Sequence, residues 1–215
     1  KMAYIGKSPT AAPLTSSDVA DGIITNAKLA QDIISADTAL GAAPADTDEF
    51  LVSDAGVLKR MDYSYIKAGG NTPSFQAYLS SSQTGITQNS WVKVNVNTEV
   101  LDSDGTYDNS SNYRFTPATS GKYFCFGQVY FTSPGERFYD IYLSIYKNGS
   151  SLIEDTFDST DSGNITQARS VFGIIDLDAD DYVELYGKGV TTGSADVSFI
   201  GSSKYDTHFG GFKIG

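Results

Sequence analysis

Residues 121–131 carry the clearest strand signal of the chain: they read Gly-Lys-Tyr-Phe-Cys-Phe-Gly-Gln-Val-Tyr-Phe. Aromatic and β-branched side chains fit a pleated sheet and are enriched in strands. Gly121 allows a turn at the start of the run, and Pro117 ends the preceding segment at a position that needs no amide donor. The run is therefore predicted to be a long aromatic β-strand.

Alternation of apolar and polar side chains extends in both directions from this run. Phe75, Ala77 and Leu79 are separated by polar or amphipathic neighbours, and further segments of the same kind follow up to the C-terminus. A period of two is typical of strands, because successive side chains point to opposite faces. Asn148-Gly149 between two such segments favours a tight hairpin. The sequence predicts an all-β fold, an antiparallel two-sheet jelly roll or sandwich.

The composition excludes several classes of protein. The 215 residues include one Cys and one His, which rules out an internal disulfide and a zinc-ribbon site. Twenty-six acidic against 15 basic side chains give a net charge of −11, so nucleic-acid binding is not expected. No apolar run approaches the ~20 residues that span a bilayer, so membrane insertion is not expected either.

The chain changes character near residue 70. Of its 14 Tyr, 12 Phe and one Trp, only Tyr4, Phe50, Tyr63 and Tyr65 come earlier. Since a core needs large side chains, we predict three parts. These are an extended, partly helical stem over residues 1–43, a small β-hairpin linker over 44–70, and the jelly-roll head over 71–215.

The stem contains a short internal repeat, in which Ile-Ile-Thr at 23–25 is followed ten residues later by Ile-Ile-Ser at 33–35. One such unit cannot bury its apolar side alone, but copies in register on several chains can line a shared axis. The alternative is two short helical turns, each capped by Thr or Ser. The spacing leaves both interpretations open.

Five segments of the head occur in a characteristic order: Ser74 to Ala77, Phe115 to Phe126, Lys147-Asn148-Gly149, Asp181 to Leu185, and Phe209 to Ile214. Over residues 73–215 this series resembles the globular head of the complement subcomponent 1q family, within the tumour-necrosis-factor-like jelly-roll superfamily. The resemblance implies a compact homotrimer and no catalysis. No collagen-like Gly-x-y run occurs, so complement activity is not implied.

Two N-terminal segments carry a second resemblance: Met2 to Pro9, and Asp-Gly-Ile-Ile-Thr-Asn-Ala-Lys-Leu-Ala at 21–30. They resemble the N-terminal segments of tail-fibre-like proteins from marine bacteriophages. This implies that residues 1–43 attach to other virion proteins and that the distal domain faces the host. The implied location is the virion, at the phage tail or particle surface.

Aromatic side chains exceed what one small core needs, and tyrosine suits interfaces because it joins an apolar body to a polar tip. Ordinary cross-strand pairing is the alternative. The predicted trimer-interface residues are Tyr142, Tyr146, Tyr182, Tyr186, Phe209 and Phe212. Jelly rolls present loops at their ends. The predicted receptor-contacting loop residues are Tyr107, Asn109, Asn112, Arg137, Asp161 and Asn164.

Side chains suited to catalysis or metal binding are few. With Asp206 close by, His208 formally allows a Ser-His-Asp arrangement, but no nucleophile elbow accompanies it. Cys125 lies in an apolar run and is predicted to be a core residue. Some relatives of the complement head bind calcium, so an acidic loop is a calcium candidate, with a solvated turn as the alternative. Its candidate ligands are Asp176, Asp178, Asp180 and Asp181.

Together these patterns predict a non-enzymatic virion structural protein without a cofactor other than possible calcium. It would be a short homotrimeric tail fibre whose jelly-roll tip binds a host cell-surface glycan or protein through several weak contacts. The alternatives are a capsid-decorating or adaptor fibre that binds no receptor, a bacterial surface adhesin, and a polysaccharide depolymerase.

Overall fold

A computed structural model describes residues 15–20, 23, 38–67, 70–158 and 165–214. Contacts between Cα atoms divide the chain into two compact units, residues 1–67 and 68–215. The described part of the stem holds a 3₁₀ turn at Ser16–Asp18, where the Asp18 carboxylate accepts a hydrogen bond from the Thr15 amide. Residues 2–9 and nearly all of the internal repeat, including both Ile-Ile segments at 23–25 and 33–35 except residue 23, lie outside the described residues.

The first unit contains the predicted hairpin. Strand β1 (Glu49–Asp54) pairs antiparallel with β2 (Val57–Asp62), and a 3₁₀ turn follows at Tyr63–Tyr65. The connecting residues Ala55 and Gly56 have φ angles of 50° and 85°. Positive φ at both central residues suits a type I′ turn, whose twist matches that of the flanking strands. The hairpin predicted for this segment is therefore present at residues 49–62.

The second unit is built from short and long strands, with the predicted aromatic strand as β9. The strands are β3 (Ser74–Tyr78), β4 (Gln83–Ile86), β5 (Val92–Lys93), β6 (Thr98–Asp102), β7 (Tyr107–Asp108), β8 (Arg114–Phe115), β9 (Gly121–Thr132), β10 (Phe138–Lys147), β11 (Ser150–Asp158), β12 (Thr166–Leu177), β13 (Val183–Thr191), β14 (Val197–Phe199) and β15 (His208–Lys213). Within the described ranges, no helix is long and apolar enough to cross a membrane.

These strands form two antiparallel sheets. In the first, called the β9 sheet, the order is β4-β14-β9-β15-β3-β6, with β12 along the other edge of β9. In the second, called the β10 sheet, the order is β11-β10-β13-β8-β7, and β5 also pairs with β13. The arrangement of β3-β15-β9-β12 opposite β8-β13-β10-β11 is that of a jelly roll. The predicted fold class is confirmed.

The core lies between the two sheets and is rich in aromatic rings. The Phe75 ring stacks on Phe115 at 4.4 Å and on Tyr107 at 4.9 Å, and it meets the edge of Phe209 at 5.0 Å. Offset and edge-on contacts of this kind are the preferred arrangements of aromatic pairs. Other large side chains with almost no exposure are Tyr123, Phe131, Phe138, Phe199, Ile141, Leu143, Ile145, Leu177 and Leu185.

Two residues predicted to contact other molecules belong to this core. Phe209 is fully buried on the inner face of β15, so the prediction that it contacts another protomer is wrong. Tyr107 is 6% exposed, and its hydroxyl donates a hydrogen bond to the Val96 carbonyl oxygen at 2.8 Å. Burial raises the pKa of the Tyr107 phenol. The prediction that Tyr107 contacts a receptor is therefore also wrong.

The Tyr107 hydrogen bond gives a stability prediction. Tyr107→Phe should lower the free energy of unfolding by about 1–2 kcal/mol, because the buried Val96 carbonyl loses its donor. Urea unfolding followed by circular dichroism measures this change. Tyr139→Phe is the control, since the Tyr139 side chain is 47% exposed and should change stability by less than about 0.5 kcal/mol. Equal stability of the two variants would contradict the structural role of the hydroxyl.

Candidate binding faces

The outward side of the β9 sheet carries a continuous set of apolar side chains, which we call the phenylalanine face: Phe124, Phe126, Phe172, Ile174 and Phe212. Phe172 lies opposite Phe126 in the strand register, and Ile174 and Phe212 flank Phe124. The Phe124 ring centroid is 5.6 Å from that of Phe212 and 6.3 Å from that of Phe172. Phe172 is 66% exposed and Ile174 62% exposed, so much of this apolar surface faces water.

The backbone beneath the phenylalanine face leaves room for one of its rings. Gly210 on β15 lies directly opposite Phe126, and a Cβ atom at position 210 would come within 2.5 Å of the Phe126 ring. The ring therefore rests on bare backbone, which only glycine allows. Two residues further along β12 from Ile174, Asp176 lies opposite Lys122 on β9, and the two side chains form an ion pair at 2.7 Å. The apolar surface thus ends at a charged border.

His208 lies beside this surface rather than in a catalytic arrangement. Its ring is 6.2 Å from the Phe126 ring, and desolvation lowers its pKa. Among the described residues, Nδ1 of His208 has no hydrogen-bond partner. The Asp206 carboxylate instead accepts hydrogen bonds from the hydroxyls of Ser202 and Ser203, at 2.7 and 3.1 Å. The described residues around His208 thus form no Ser-His-Asp arrangement.

A groove of about 390 Å³ opens at the side of the sandwich, next to the phenylalanine face. It lies between β11 and β12. Among the described strands, each of these two is an edge strand that pairs on one side only. Leu152 at the groove is 51% exposed. The lining residues are Lys147, Leu152, Ile153, Ile174, Ile175 and Asp176. Through Ile174 the groove continues the phenylalanine face onto the edge of the head.

The outward side of the β10 sheet carries a different set, which we call the aromatic platform: Trp91, Tyr142, Tyr146, Tyr186 and Lys188. The Tyr146 and Tyr186 rings stack with centroids 4.1 Å apart. The Trp91 ring lies 6.0 Å from that of Tyr142 and 5.8 Å from that of Tyr146. Partial burial raises the pKa of all three tyrosines. A hydrogen bond between the Tyr186 hydroxyl and the Glu184 carboxylate adds to this effect on the pKa of Tyr186.

Cationic side chains lie against these rings. The Lys188 Nζ is 3.9 Å from the Tyr142 ring centroid and 5.4 Å from that of Trp91, at cation–π distances. No described carboxylate pairs with Lys188 within 4.0 Å. Lys93, by contrast, pairs with the buried Glu184 carboxylate at 2.5 Å. The Lys188 ammonium is thus held in place while its hydrogen-bonding capacity stays available.

The six residues predicted as one trimer interface lie in three different places. Tyr142, Tyr146 and Tyr186 lie together on the platform, and Tyr182 lies near them under the Arg114 guanidinium, 4.4 Å from its ring centroid. Phe212 lies on the opposite sheet, and the sixth residue is inside the core. The six therefore do not form one contiguous surface. Sequence reasoning also missed Trp91 and Phe172, whose neighbours are distant in the chain.

The predicted receptor-contacting residues are also dispersed. Asn109 and Asn112 lie in the turn after β7, where the Asp108 carboxylate accepts hydrogen bonds from backbone amides that lower its pKa. The Asn112 carbonyl oxygen accepts a hydrogen bond from Lys93 at 3.1 Å, which places this turn beside the platform. Arg137 is exposed just before β10. Outside the described residues lie Asp161 and Asn164.

Two of the aspartates predicted to bind calcium, Asp176 and Asp181, make ion pairs or hydrogen bonds within the chain. The Asp181 carboxylate accepts hydrogen bonds from the Asp178 amide at 2.8 Å and the Asn148 side chain at 2.6 Å, and it pairs with Lys147. The first of these bonds contributes most to lowering the pKa of Asp181 to about 2. Asp176 pairs with a lysine on β9, and Asp180 lies in the same turn. In the described ranges, no three or more ligating side chains converge on a metal-sized site.

Cys125 is fully buried on the inner face of β9, and burial raises the pKa of its thiol to about 12. A thiol with so high a pKa holds almost no nucleophilic thiolate at neutral pH. The prediction of a small core residue is confirmed.

No protein-family profile matches the chain, and no curated protein matches it in sequence. Among solved structures the chain is similar to Eiger TNF from S. frugiperda, at 12% identity over 66% of this chain and 92% of that one, with a TM-score of 0.47. It is similar to murine APRIL, at 12% identity over 66% and 98%, with a TM-score of 0.46. It is also similar to the globular domain of zebrafish complement 1qA, at 18% identity over 66% and 97%, with a TM-score of 0.45. At these identities no ligand is carried over to this chain.

Proposed function

We propose that this chain is a bacteriophage virion structural protein: a short homotrimeric tail fibre whose jelly-roll head binds the host surface. The observation that carries the proposal is the phenylalanine face. Monomeric soluble proteins rarely expose large contiguous apolar patches. Fully burying a side chain such as Phe or Ile gains about 1.5–3 kcal/mol, so covering Phe172 and Ile174 favours association.

The layout of the apolar surface supports a closed ring of copies. A ring needs a heterologous contact, in which two different patches of one chain meet the complementary patches of its neighbours. The phenylalanine face and the β11 edge of the groove, with Leu152 and Ile153, are two such patches on adjoining sides of the head. Seating the groove edge of one copy on the phenylalanine face of the next would cover both. The resemblance of the head to a homotrimeric family sets the number at three.

The virion assignment is supported by the resemblance of residues 2–9 and 21–30 to tail-fibre segments. Under this proposal, residues 1–43 would lie at the particle and the head at the distal end. Three identical heads on one stem bind a cell surface with an effective concentration that a single head cannot reach. Weak individual contacts are therefore sufficient for attachment.

Three experiments test this proposal. Light scattering during gel filtration should give about 69 kDa, three chains of 23.0 kDa; a 23.0 kDa species would overturn the fibre. Electron microscopy of particles labelled with an antibody to the head should show the label on the tail. Label on the capsid would overturn the tail-fibre assignment in favour of a decorating protein. Deletion of residues 1–43 should abolish particle attachment while the heads still assemble.

A further inference from the structure

We infer that the aromatic platform, built by Trp91, Tyr142, Tyr146, Tyr186 and Lys188, is a binding site for neutral, hydroxyl-rich glycans. The inference deepens the proposed function and rests on it for its biological role, since it names the site and the ligand class through which the head binds the host surface. The binding chemistry itself comes from the platform residues alone.

The platform matches the two-sided chemistry of a sugar ring. A pyranose presents a flat face of C–H groups and an edge of hydroxyls. Aromatic rings carry negative charge on their faces, which attracts C–H groups, and tyrosine and tryptophan add a polar group at one end. The Tyr146 and Tyr186 rings stack on each other and the Trp91 ring meets the Tyr146 ring edge-on, so a cluster of partly exposed rings covers the outward side of β10 and β13. The phenol hydroxyls and the indole N–H add polar groups at the ends of these rings.

The contrast with the phenylalanine face argues against a protein partner at the platform. The phenylalanine face holds Phe and Ile side chains without charged groups between them, as suits a dry contact. On the platform, by contrast, a charged group lies among the rings: the Lys188 Nζ is over both Tyr142 and Trp91. A flat protein surface would have to strip water from the Lys188 ammonium, which is costly because no described carboxylate lies within 4.0 Å of it. Sugar hydroxyls replace the water and accept its hydrogen bonds.

The charges around the platform favour a neutral glycan over an acidic one. The carboxylates of Asp140, Asp158 and Glu154 lie close enough to raise the pKa of the Tyr142 phenol, next to the desolvation that contributes most. They repel a uronic or sialic acid and accept hydrogen bonds from neutral sugar hydroxyls. Lys188 supplies the matching donors, since no described carboxylate pairs with it within 4.0 Å. A lysine donor and carboxylate acceptors beside the same rings suit an uncharged, hydroxyl-bearing ring.

Trp91 provides a direct reporter, because it is the only Trp of the chain. Full-length protein should be titrated with neutral mannan, glucan and galactan oligosaccharides and with acidic alginate oligosaccharides. At least one neutral series should shift the Trp91 emission with saturation, and alginate should not. Absence of a shift with every neutral series would overturn the inference, as would a shift with alginate alone.

Variants then assign the site. With the neutral oligosaccharide that binds, calorimetry should show affinity about tenfold weaker for Trp91→Ala and for Tyr142→Ala. Lys188→Met should weaken binding severalfold while retaining the rings, and Tyr139→Ala, an exposed tyrosine of the same strand outside the platform, should bind normally. Unchanged affinity in the platform variants would overturn the site. A protein of 69 kDa that binds no neutral sugar refutes this inference alone, whereas a monomer that binds sugar refutes the trimeric fibre.

Discussion

Phe172→Glu should convert the proposed 69 kDa trimer into single chains of 23.0 kDa. The Phe172 side chain is 66% exposed in one chain, so glutamate costs little there before assembly. In the proposed trimer it would place a carboxylate in an apolar contact, three times per assembly. Burying an unpaired charge costs several kcal/mol at each site, which is comparable to the free energy of a micromolar complex. Light scattering during gel filtration measures the mass directly.

The matched control is Tyr139→Glu, which adds the same charge at an exposed aromatic residue outside the phenylalanine face. This variant should stay trimeric. Circular dichroism should show the same strand content for both variants, since neither residue belongs to the core. A Phe172→Glu protein that keeps the wild-type mass would show that this face does not mediate assembly.

Phe75→Ala should destabilise the head by about 3–5 kcal/mol. The Phe75 ring contacts three other rings, those of Tyr107, Phe115 and Phe209, at centroid distances of 4.4 to 5.0 Å. Removing it opens a cavity that the flanking strands cannot close, since Phe75 is 2% exposed. Denaturant unfolding at a fixed protein concentration measures the loss, because assembly makes stability depend on concentration.

Phe75→Leu is the companion variant, because it retains most of the volume and should cost less than half as much. Equal losses for Leu and Ala would indicate that the stacking geometry, and not the filled volume, holds this part of the core. A Phe75→Ala protein within about 1 kcal/mol of wild type would contradict the central position of the ring.

Local signals in the sequence were enough for the long strands β9, β10, β12 and β13, for the Asn148-Gly149 turn and for the fold class, but not for β4, β6, β7 and β11. The alternation in residues 121–131 predicts β9, and the Asn148-Gly149 pair predicts the hairpin, where both residues have positive φ. The inward set Phe75, Ala77 and Leu79 is buried as the period of two requires. Such features depend on neighbours within a few residues, which is the information that a single sequence carries most directly.

The binding faces depend on information that the alternation does not contain. In β15, Phe209 points inward and Phe212 outward. The two residues between them are glycines, so no polar side chain indicates which positions of the strand face outward. In β12, Val171 to Ile175 is apolar on both sides, so nothing singles out Phe172 as exposed. The platform joins Trp91 to tyrosines more than 50 positions later, which only the strand order brings together.

The two outward faces lie on opposite sheets, with the packed interior between them. Sheets in such sandwiches lie about 10 Å apart, and substitutions at that separation without shared partners have nearly additive effects. Changes at Tyr142 or Lys188 should therefore leave the contacts of Phe172 untouched. If the platform binds sugars as we propose, mutational drift could change which sugars it binds without weakening the proposed contact between subunits.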